Sequence, residues 1–127
     1  KESKENRNKI ICTSRWKLKN SFKNYGIFKT FLNKIFQSLI HFLFKYKLTD
    51  YTYGFRIYPA RCLKNHNWKM RNHSFFLEII LLPLKKGYKT IELPAKWEKR
   101  VEGVSSNKFI YYLSYLKVII IFLIKKY

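Results

Sequence analysis

The sequence predicts an α/β fold, and three segments carry that prediction. Lys9–Thr13 is short, apolar and β-branched, as expected of a strand. Residues 27–46 repeat apolar side chains at the i, i+3, i+4 and i+7 spacing of an amphipathic helix. Tyr88–Trp97 alternates apolar and polar residues but contains Pro94, so we expect a strand at a sheet edge or a bulge.

The elements between these segments are shorter. Arg56–Tyr58 has the composition of a brief extended piece. Residues 75–86 are almost wholly apolar and predict a buried helix, with Ser74 as its N-cap and Gly87 as its stop. Because a proline in a helix removes a backbone hydrogen bond, we expect Pro83 to kink or weaken this helix.

The last segment, residues 109–124, is apolar except near Lys117 and is shorter than the roughly 20 residues of a bilayer crossing. Tyrosines at its start and lysines at its end suit an amphipathic helix that lies on a membrane or anchors in one. A truncated crossing and a packed core helix stay open as alternatives. We therefore divide the chain into residues 1–108, a globular part, and residues 109–127, the apolar C-terminal helix.

Charge restricts the classes of partner. The chain carries 27 Lys and Arg against 7 Asp and Glu, a net charge of +20, so its surface favours polyanions such as nucleic acid, anionic lipid or phosphorylated substrates. Cys12 and Cys62 form no metal-binding spacing with each other or with a histidine, so we expect no zinc site. The first residues lack an initiator Met and a signal-peptide core, and we expect the chain to begin inside something larger.

Residues 49–56 hold the only aspartate of the chain, Asp50, followed by a threonine, a glycine and an arginine. Such a run makes either a binding corner or an ordinary loop with an internal ion pair. In the preceding helix, Lys29, Asn33 and Gln37 recur every four residues and form one polar ridge. That ridge is either a solvated face or a row of polar groups along a cleft.

Four motifs in one order resemble a known family. They cover residues 10 to about 117 and read Thr13-Ser14-Arg15 after a strand; Asp50-x-Thr52-x-Gly54-Phe55-Arg56; Phe76-x-Glu78-Ile79 opening a helix that ends in Gly87-Tyr88-Lys89; and Glu92-Leu93-Pro94 followed by Arg100-x-x-Gly103-x-Ser105. Together they resemble the C-terminal half of family 2 glycosyltransferases, most closely the dolichol-phosphate mannosyltransferase-like and polyprenyl-phosphate glycosyltransferase group.

The resemblance implies the acceptor-side part of a GT-A fold, an incomplete sheet with flanking helices. In the full-length family enzyme an Asp-x-Asp motif holds Mg²⁺ or Mn²⁺ on the nucleotide diphosphate. With Asp50 as its sole aspartate, this chain cannot contain that motif, so the metal ligands are absent from it. We therefore expect a separate N-terminal half to supply the nucleotide site, and no sugar transfer by this chain alone.

The resemblance also implies an acceptor-phosphate site. Arg15 matches the Ser-Arg position of the family, while Lys29 and Asn33 stand where the family usually has an arginine and a serine. Arg100 and Ser105 match a loop that resembles a mobile lid over the phosphates, although Ser106 replaces the lysine of that loop. Lysine cannot bind phosphate in the bidentate manner of arginine, so the departure at Lys29 bears on which acceptor is bound.

By the same resemblance, Asp50 is the candidate catalytic residue at the sugar and acceptor cleft, and Thr52 and Gly54 shape its turn. Arg56 and Glu78 lie either near the cleft or in an ion pair that braces the loop against the following helix.

The function implied is transfer of a sugar from a nucleotide-sugar donor to a polyprenyl (dolichyl or undecaprenyl) phosphate at the cytoplasmic face of a membrane. Because lysines near anionic headgroups each contribute on the order of 1 kcal/mol, an anionic membrane surface is an expected partner. Nucleic acid is not, since no helix-turn-helix, RRM or zinc-finger signature is present. A basic nucleic-acid-binding module and a non-catalytic membrane-surface protein stay open as alternatives.

Overall fold

A computed structural model describes residues 9–22, 25–98 and 110–124 and shows an α/β protein. In chain order its elements are β1 (Lys9–Ser14), a single 3₁₀ turn (Arg15–Lys17), α1 (Ile27–Phe44), β2 (Arg56–Ile57), α2 (Ala60–Leu63), α3 (Phe75–Lys85), β3 (Lys89–Pro94) and α4 (Ile110–Ile124). The expected strands and helices are therefore present, with ends that differ by a few residues.

The three strands form one sheet in the order β2-β1-β3. β3 runs parallel to β1, from Lys9 opposite Lys89 to Ser14 opposite Pro94, and β2 runs antiparallel on the other side. Pro94 thus ends an edge strand, as predicted, where its missing N–H removes no interior hydrogen bond. Because β1 is the central strand, β2 lies on one side of it and β3 on the other.

Helix α1 begins after Gly26, whose φ of 91° suits glycine. It ends at Phe44, two residues before the end that the periodicity predicts, and Lys45 follows in the left-handed region. One side of the helix enters the core through Ile40, which is fully buried, and through Phe36. The opposite side also carries apolar residues, and these are exposed. The helix is therefore apolar on two sides, of which the core covers one.

Helix α3 is the most buried element, and four of its leucine and isoleucine side chains have no exposed surface, at positions 77, 80, 81 and 82. Ser74 occupies the N-cap position but does not cap the helix, because its hydroxyl donates to the side-chain oxygen of Asn72. Pro83 does not end the helix, which continues to Lys85. Gly87, with φ of 86°, follows as the predicted stop.

Helix α4 packs one face into the same core, through Tyr115, Val118, Ile119 and Phe122. This core also contains Ile10 and Cys12 of β1 together with α1 and α3 side chains. The outer face of α4 is exposed, so the segment has features of both the core helix and the interfacial helix that the sequence left open. Among the described residues, no helix combines the length and apolar character that a membrane crossing needs.

Candidate functional site

The candidate site lies where β1 ends and the chain turns. Ser14 closes the strand, and its hydroxyl accepts a hydrogen bond from the backbone N–H of Trp16 at 3.1 Å. The same hydroxyl lies 2.6 Å from the hydroxyl of Thr49. These short contacts turn the chain immediately after the strand, so Arg15 is directed into the protein and is 6% exposed.

Arg15 and Asp50 form a buried ion pair. The Nε of Arg15 donates to Oδ2 of Asp50 at 2.7 Å, and Nη2 donates to Oδ1 at 3.0 Å, which is the bidentate geometry preferred by these groups. Nη2 also donates to the hydroxyl of Thr52 at 3.2 Å. The guanidinium lies over the ring of Tyr53, with its central carbon 4.9 Å from the ring centroid. The structure thus brings Arg15, Asp50 and Thr52 together.

The Asp50 carboxylate is enclosed by donors. Besides Arg15, its Oδ1 accepts from the backbone N–H groups of Thr52 at 3.3 Å and Tyr53 at 3.1 Å. The residue has no exposed surface. Because both carboxylate oxygens already accept hydrogen bonds, neither is available to a substrate hydroxyl. A carboxylate held in this way acts by positioning its partners.

Helix α1 reaches this corner through Gln37, a residue that the family motifs do not include. Its side-chain amide donates to Thr52 Oγ1 at 2.8 Å and to Asp50 Oδ1 at 3.3 Å, and its oxygen accepts from the N–H of Tyr51 at 2.8 Å. Asn33, one turn earlier, accepts from the same amide at 3.4 Å. The polar ridge of α1 therefore enters the site at Gln37 and Asn33. Lys29 is exposed near the start of α1 and is not among the described hydrogen-bond or ion-pair partners of Asp50.

Strand β3 contributes Glu92, a residue of the Glu92-Leu93-Pro94 motif to which the resemblance gave no role of its own. Its Oε1 accepts from the backbone N–H groups of Thr49 at 2.9 Å and Asp50 at 3.1 Å, and its Oε2 accepts from the Thr49 hydroxyl at 2.8 Å. Lys17 donates to the backbone oxygen of Glu92 at 3.0 Å. The signals for Glu92 in the sequence are its place in that motif and the scarcity of acids in so basic a chain.

Arg56 and Glu78 have different partners, so the ion pair between them, one of the two alternatives that the sequence left open, does not form. Arg56 donates instead to the backbone oxygens of Phe76 at 2.8 Å and Asp50 at 3.2 Å and thereby braces the loop. Glu78 accepts from backbone N–H groups of residues 69 and 70 at 2.9–3.2 Å, on a different loop. Gly54 allows the loop to approach the Phe76 ring closely, since a Cβ there would lie 2.7 Å from that ring.

A cavity of about 520 Å³ opens beside the ion pair, lined by Arg15, Trp16, Leu18, Asn20, Ser21 and Phe22. The Nε and Nη2 groups of Arg15 are bound to Asp50 and Thr52, whereas Nη1 makes no hydrogen bond to any described residue. The Ser21 hydroxyl donates to the backbone oxygen of Arg15 and so closes the turn behind it. The guanidinium therefore has one unused pair of donors next to a cavity.

Burial alone would lower the pKa of Arg15, but the hydrogen bond and the charge of Asp50 outweigh it and raise that pKa. The Arg15 guanidinium consequently stays charged, and its bidentate contact with the Asp50 carboxyl group accounts for its burial. An anion that reached Nη1 would meet oriented N–H donors rather than an uncompensated positive charge. The same observation argues against a divalent metal here, because the Asp50 oxygens already face a guanidinium.

Two predicted site residues, Arg100 and Ser105, lie outside the described residues. Comparison of this chain with protein-family models, with curated proteins and with solved structures gave no match.

Proposed function

We propose that this chain is the acceptor-side part of a GT-A, family 2 glycosyltransferase that moves a sugar from a nucleotide-sugar to a polyprenyl phosphate at the cytoplasmic face of a membrane. The observation that supports the proposal most is the position of Arg15. It stands at the carboxyl end of the central strand, is oriented by Asp50 and lines a cavity, and its Nη1 group makes no hydrogen bond to the described residues. In α/β sheets that end of the strands is where ligands bind.

The enclosure of Asp50 is consistent with this chemistry. In the proposed reaction an oxygen of the lipid phosphate attacks the anomeric carbon, the bond from that carbon to the nucleoside diphosphate breaks, and the diphosphate leaves. The attacking oxygen is already an anion, so it needs no general base. It needs fixed hydrogen-bond donors that hold the lipid phosphate close to the diphosphate of the nucleotide-sugar. Asp50 would act by holding Arg15 in place, as a positioning residue.

The nucleotide diphosphate and its Mg²⁺ or Mn²⁺ belong, in this proposal, to a separate N-terminal half. The described residues contain no cluster of three His, Cys, Asp or Glu side chains that would suit such a metal. In this proposal the contribution of the present chain is to bind and orient the acceptor.

The experiment is a titration of the ¹⁵N-arginine-labelled chain with geranyl phosphate, a short polyprenyl phosphate, followed through the arginine Nε resonances. We expect the Arg15 resonance to shift saturably with the phosphate and to stay unchanged with geraniol. Arg61, an exposed arginine whose guanidinium lies over the Tyr88 ring, is the internal control and should not shift. Equal shifts at Arg15 and Arg61, or equal shifts with the alcohol, would overturn the proposal.

A further inference from the structure

Helix α1 carries an apolar stripe that the described part of the chain leaves exposed. Phe28, Phe31, Ile35, Leu39 and Phe42 are 72%, 59%, 50%, 40% and 74% exposed, respectively. Their spacing of three or four residues places them on one side of the helix, which we call the outer face of α1. Three of the five are phenylalanines. A contiguous exposed apolar surface of this kind marks an interaction site.

The outer face is not a misplaced part of the core. The opposite side of α1 already packs inward, with Ile40 fully buried and Phe36 against the ring of Tyr115 at 5.3 Å. A helix that is apolar on both sides and half exposed needs a second apolar partner.

The charge pattern around the outer face selects that partner. Lys34 is exposed on the side of the helix next to the stripe, and Lys29 lies near its first residue. Lys45 and Lys47 are exposed just beyond its end. No acidic residue occurs between Glu5 and Asp50, and the whole chain has a net charge of +20. A second copy of so basic a chain would be repelled, whereas an apolar layer beneath a negative surface would be attracted.

We propose that the outer face of α1 docks into the headgroup region of an anionic lipid bilayer, with the phenylalanine rings below the phosphates and the flanking lysines among them. An in-plane amphipathic helix with aromatic residues on one side and lysines at its borders is the structure that binds such an interface. The biological role of this docking rests on the proposed function. The docking proposal extends that function by naming the surface that meets the membrane.

Docking through α1 has a consequence for the candidate site. Gln37, on the inner side of the same helix, holds the loop of Asp50 and Thr52 through the hydrogen bonds described above. Since a helix with its side chains is only about 10 Å across, a docked α1 sets the Arg15 corner about one helix diameter from the lipid phosphates. The depth of the helix in the membrane thus determines how far a lipid phosphate must rise to reach Arg15.

The experiment is co-sedimentation of the full chain with vesicles of phosphatidylglycerol and phosphatidylcholine, compared with vesicles of phosphatidylcholine alone. Replacing the ring in Phe42→Ser should weaken binding to the anionic vesicles by about fivefold, and Phe31→Ser/Phe42→Ser by tenfold or more, because each ring loses apolar burial. The matched control is Phe55→Ser, since Phe55 is 77% exposed, much like Phe42, but lies outside α1. It should bind like the unchanged chain.

Three results would overturn the docking surface. The first is equal loss of binding in Phe42→Ser and Phe55→Ser. The second is equal binding to neutral and anionic vesicles. The third is a dimer in sedimentation velocity that Phe42→Ser converts to a monomer without changing vesicle binding, which would make the outer face a contact between copies. Circular dichroism spectra equal to that of the unchanged chain show that a variant is folded.

Failure of this proposal and failure of the proposed function give different results. If Phe42→Ser binds vesicles normally while the unchanged chain still binds soluble geranyl phosphate at Arg15, the docking surface alone is wrong. If the variants lose vesicle binding as expected but geranyl phosphate never shifts Arg15, the docking surface stands and the acceptor site is wrong.

Discussion

Removing the charge of Asp50 should destabilise the fold strongly. The Arg15–Asp50 pair is 2.7 Å long, and the two side chains are 7% and 0% exposed. The change Asp50→Asn keeps the shape but leaves a guanidinium buried without an opposite charge, and the new amide places N–H donors against those of Arg15. Breaking one partner of a buried pair costs about 3–5 kcal/mol. Because a whole domain is stable by roughly 5–15 kcal/mol, this is a large fraction.

The assay is urea unfolding at pH 7, followed by circular dichroism, with the free energy of unfolding extrapolated to water. The chain offers a matched control in Lys96 and Glu98, an ion pair of nearly the same length, 2.8 Å, with side chains that are 61% and 73% exposed. Glu98→Gln should leave the unfolding free energy unchanged within error, since solvent screens an exposed pair.

A double variant tests whether the loss of unfolding free energy comes from breaking the Arg15–Asp50 ion pair. In Arg15→Met/Asp50→Asn neither position of the pair is charged, so the destabilisation should be clearly smaller than the sum of the two single changes. If Asp50→Asn costs no more than Glu98→Gln, or if the single changes add without coupling, the buried pair does not support the corner and the role assigned to Asp50 is refuted.

Two further outcomes follow from local packing and burial. Gly54→Ala places a methyl group against the Phe76 ring, 2.7 Å from Cε1, and should cost about 1–3 kcal/mol in urea unfolding. In a Phe76→Ala background the same change should cost much less, and an equal cost in both backgrounds would contradict the clash. Burial raises the pKa of Cys12 to about 11, above the value near 8.5 of an unfolded thiol. The stability that Cys12 contributes is therefore complete below about pH 8.5 and falls by roughly 2–3 kcal/mol as the pH rises to 11. Cys12→Ala should show a shallower decline than the unchanged chain between pH 8 and 10.5, and parallel curves would contradict the assignment.

The elements could be predicted from local patterns because backbone periodicity is a local property. Lys9–Ser14 has the β-branched composition of a buried strand, and Gly87 stands where a helix needs a left-handed residue. The candidate site could be predicted only in part. Arg15 and Asp50 were selected by their motifs, but the roles of Gln37 and Glu92 could not be read from the sequence. Each acts on a loop that is distant along the chain, and a side chain's partner across such a distance depends on how the elements pack.

Arg56 and Glu78 show the converse, because here the sequence suggested a contact that the structure does not contain. Opposite charges suggest an ion pair, yet Arg56 binds backbone oxygens and Glu78 binds backbone N–H groups on a separate loop. A buried polar group forms hydrogen bonds with whichever partner lies within reach. A buried backbone N–H or C=O without a hydrogen bond also costs free energy, so backbone groups compete with charged side chains as partners. Complementary charge alone therefore does not identify a contact.

By itself the sequence determined the α/β class, the order of the elements, the strongly basic surface and the isolation of Asp50 as the only aspartate. The tertiary structure decided that Asp50 is enclosed by Arg15, Gln37 and backbone N–H groups, and that one apolar side of α1 enters the core while the other is exposed. The physical reason is the same in both cases. Spacing along the chain places residues on one side of a helix or strand, but only the packing of elements determines which side meets protein and which meets its surroundings.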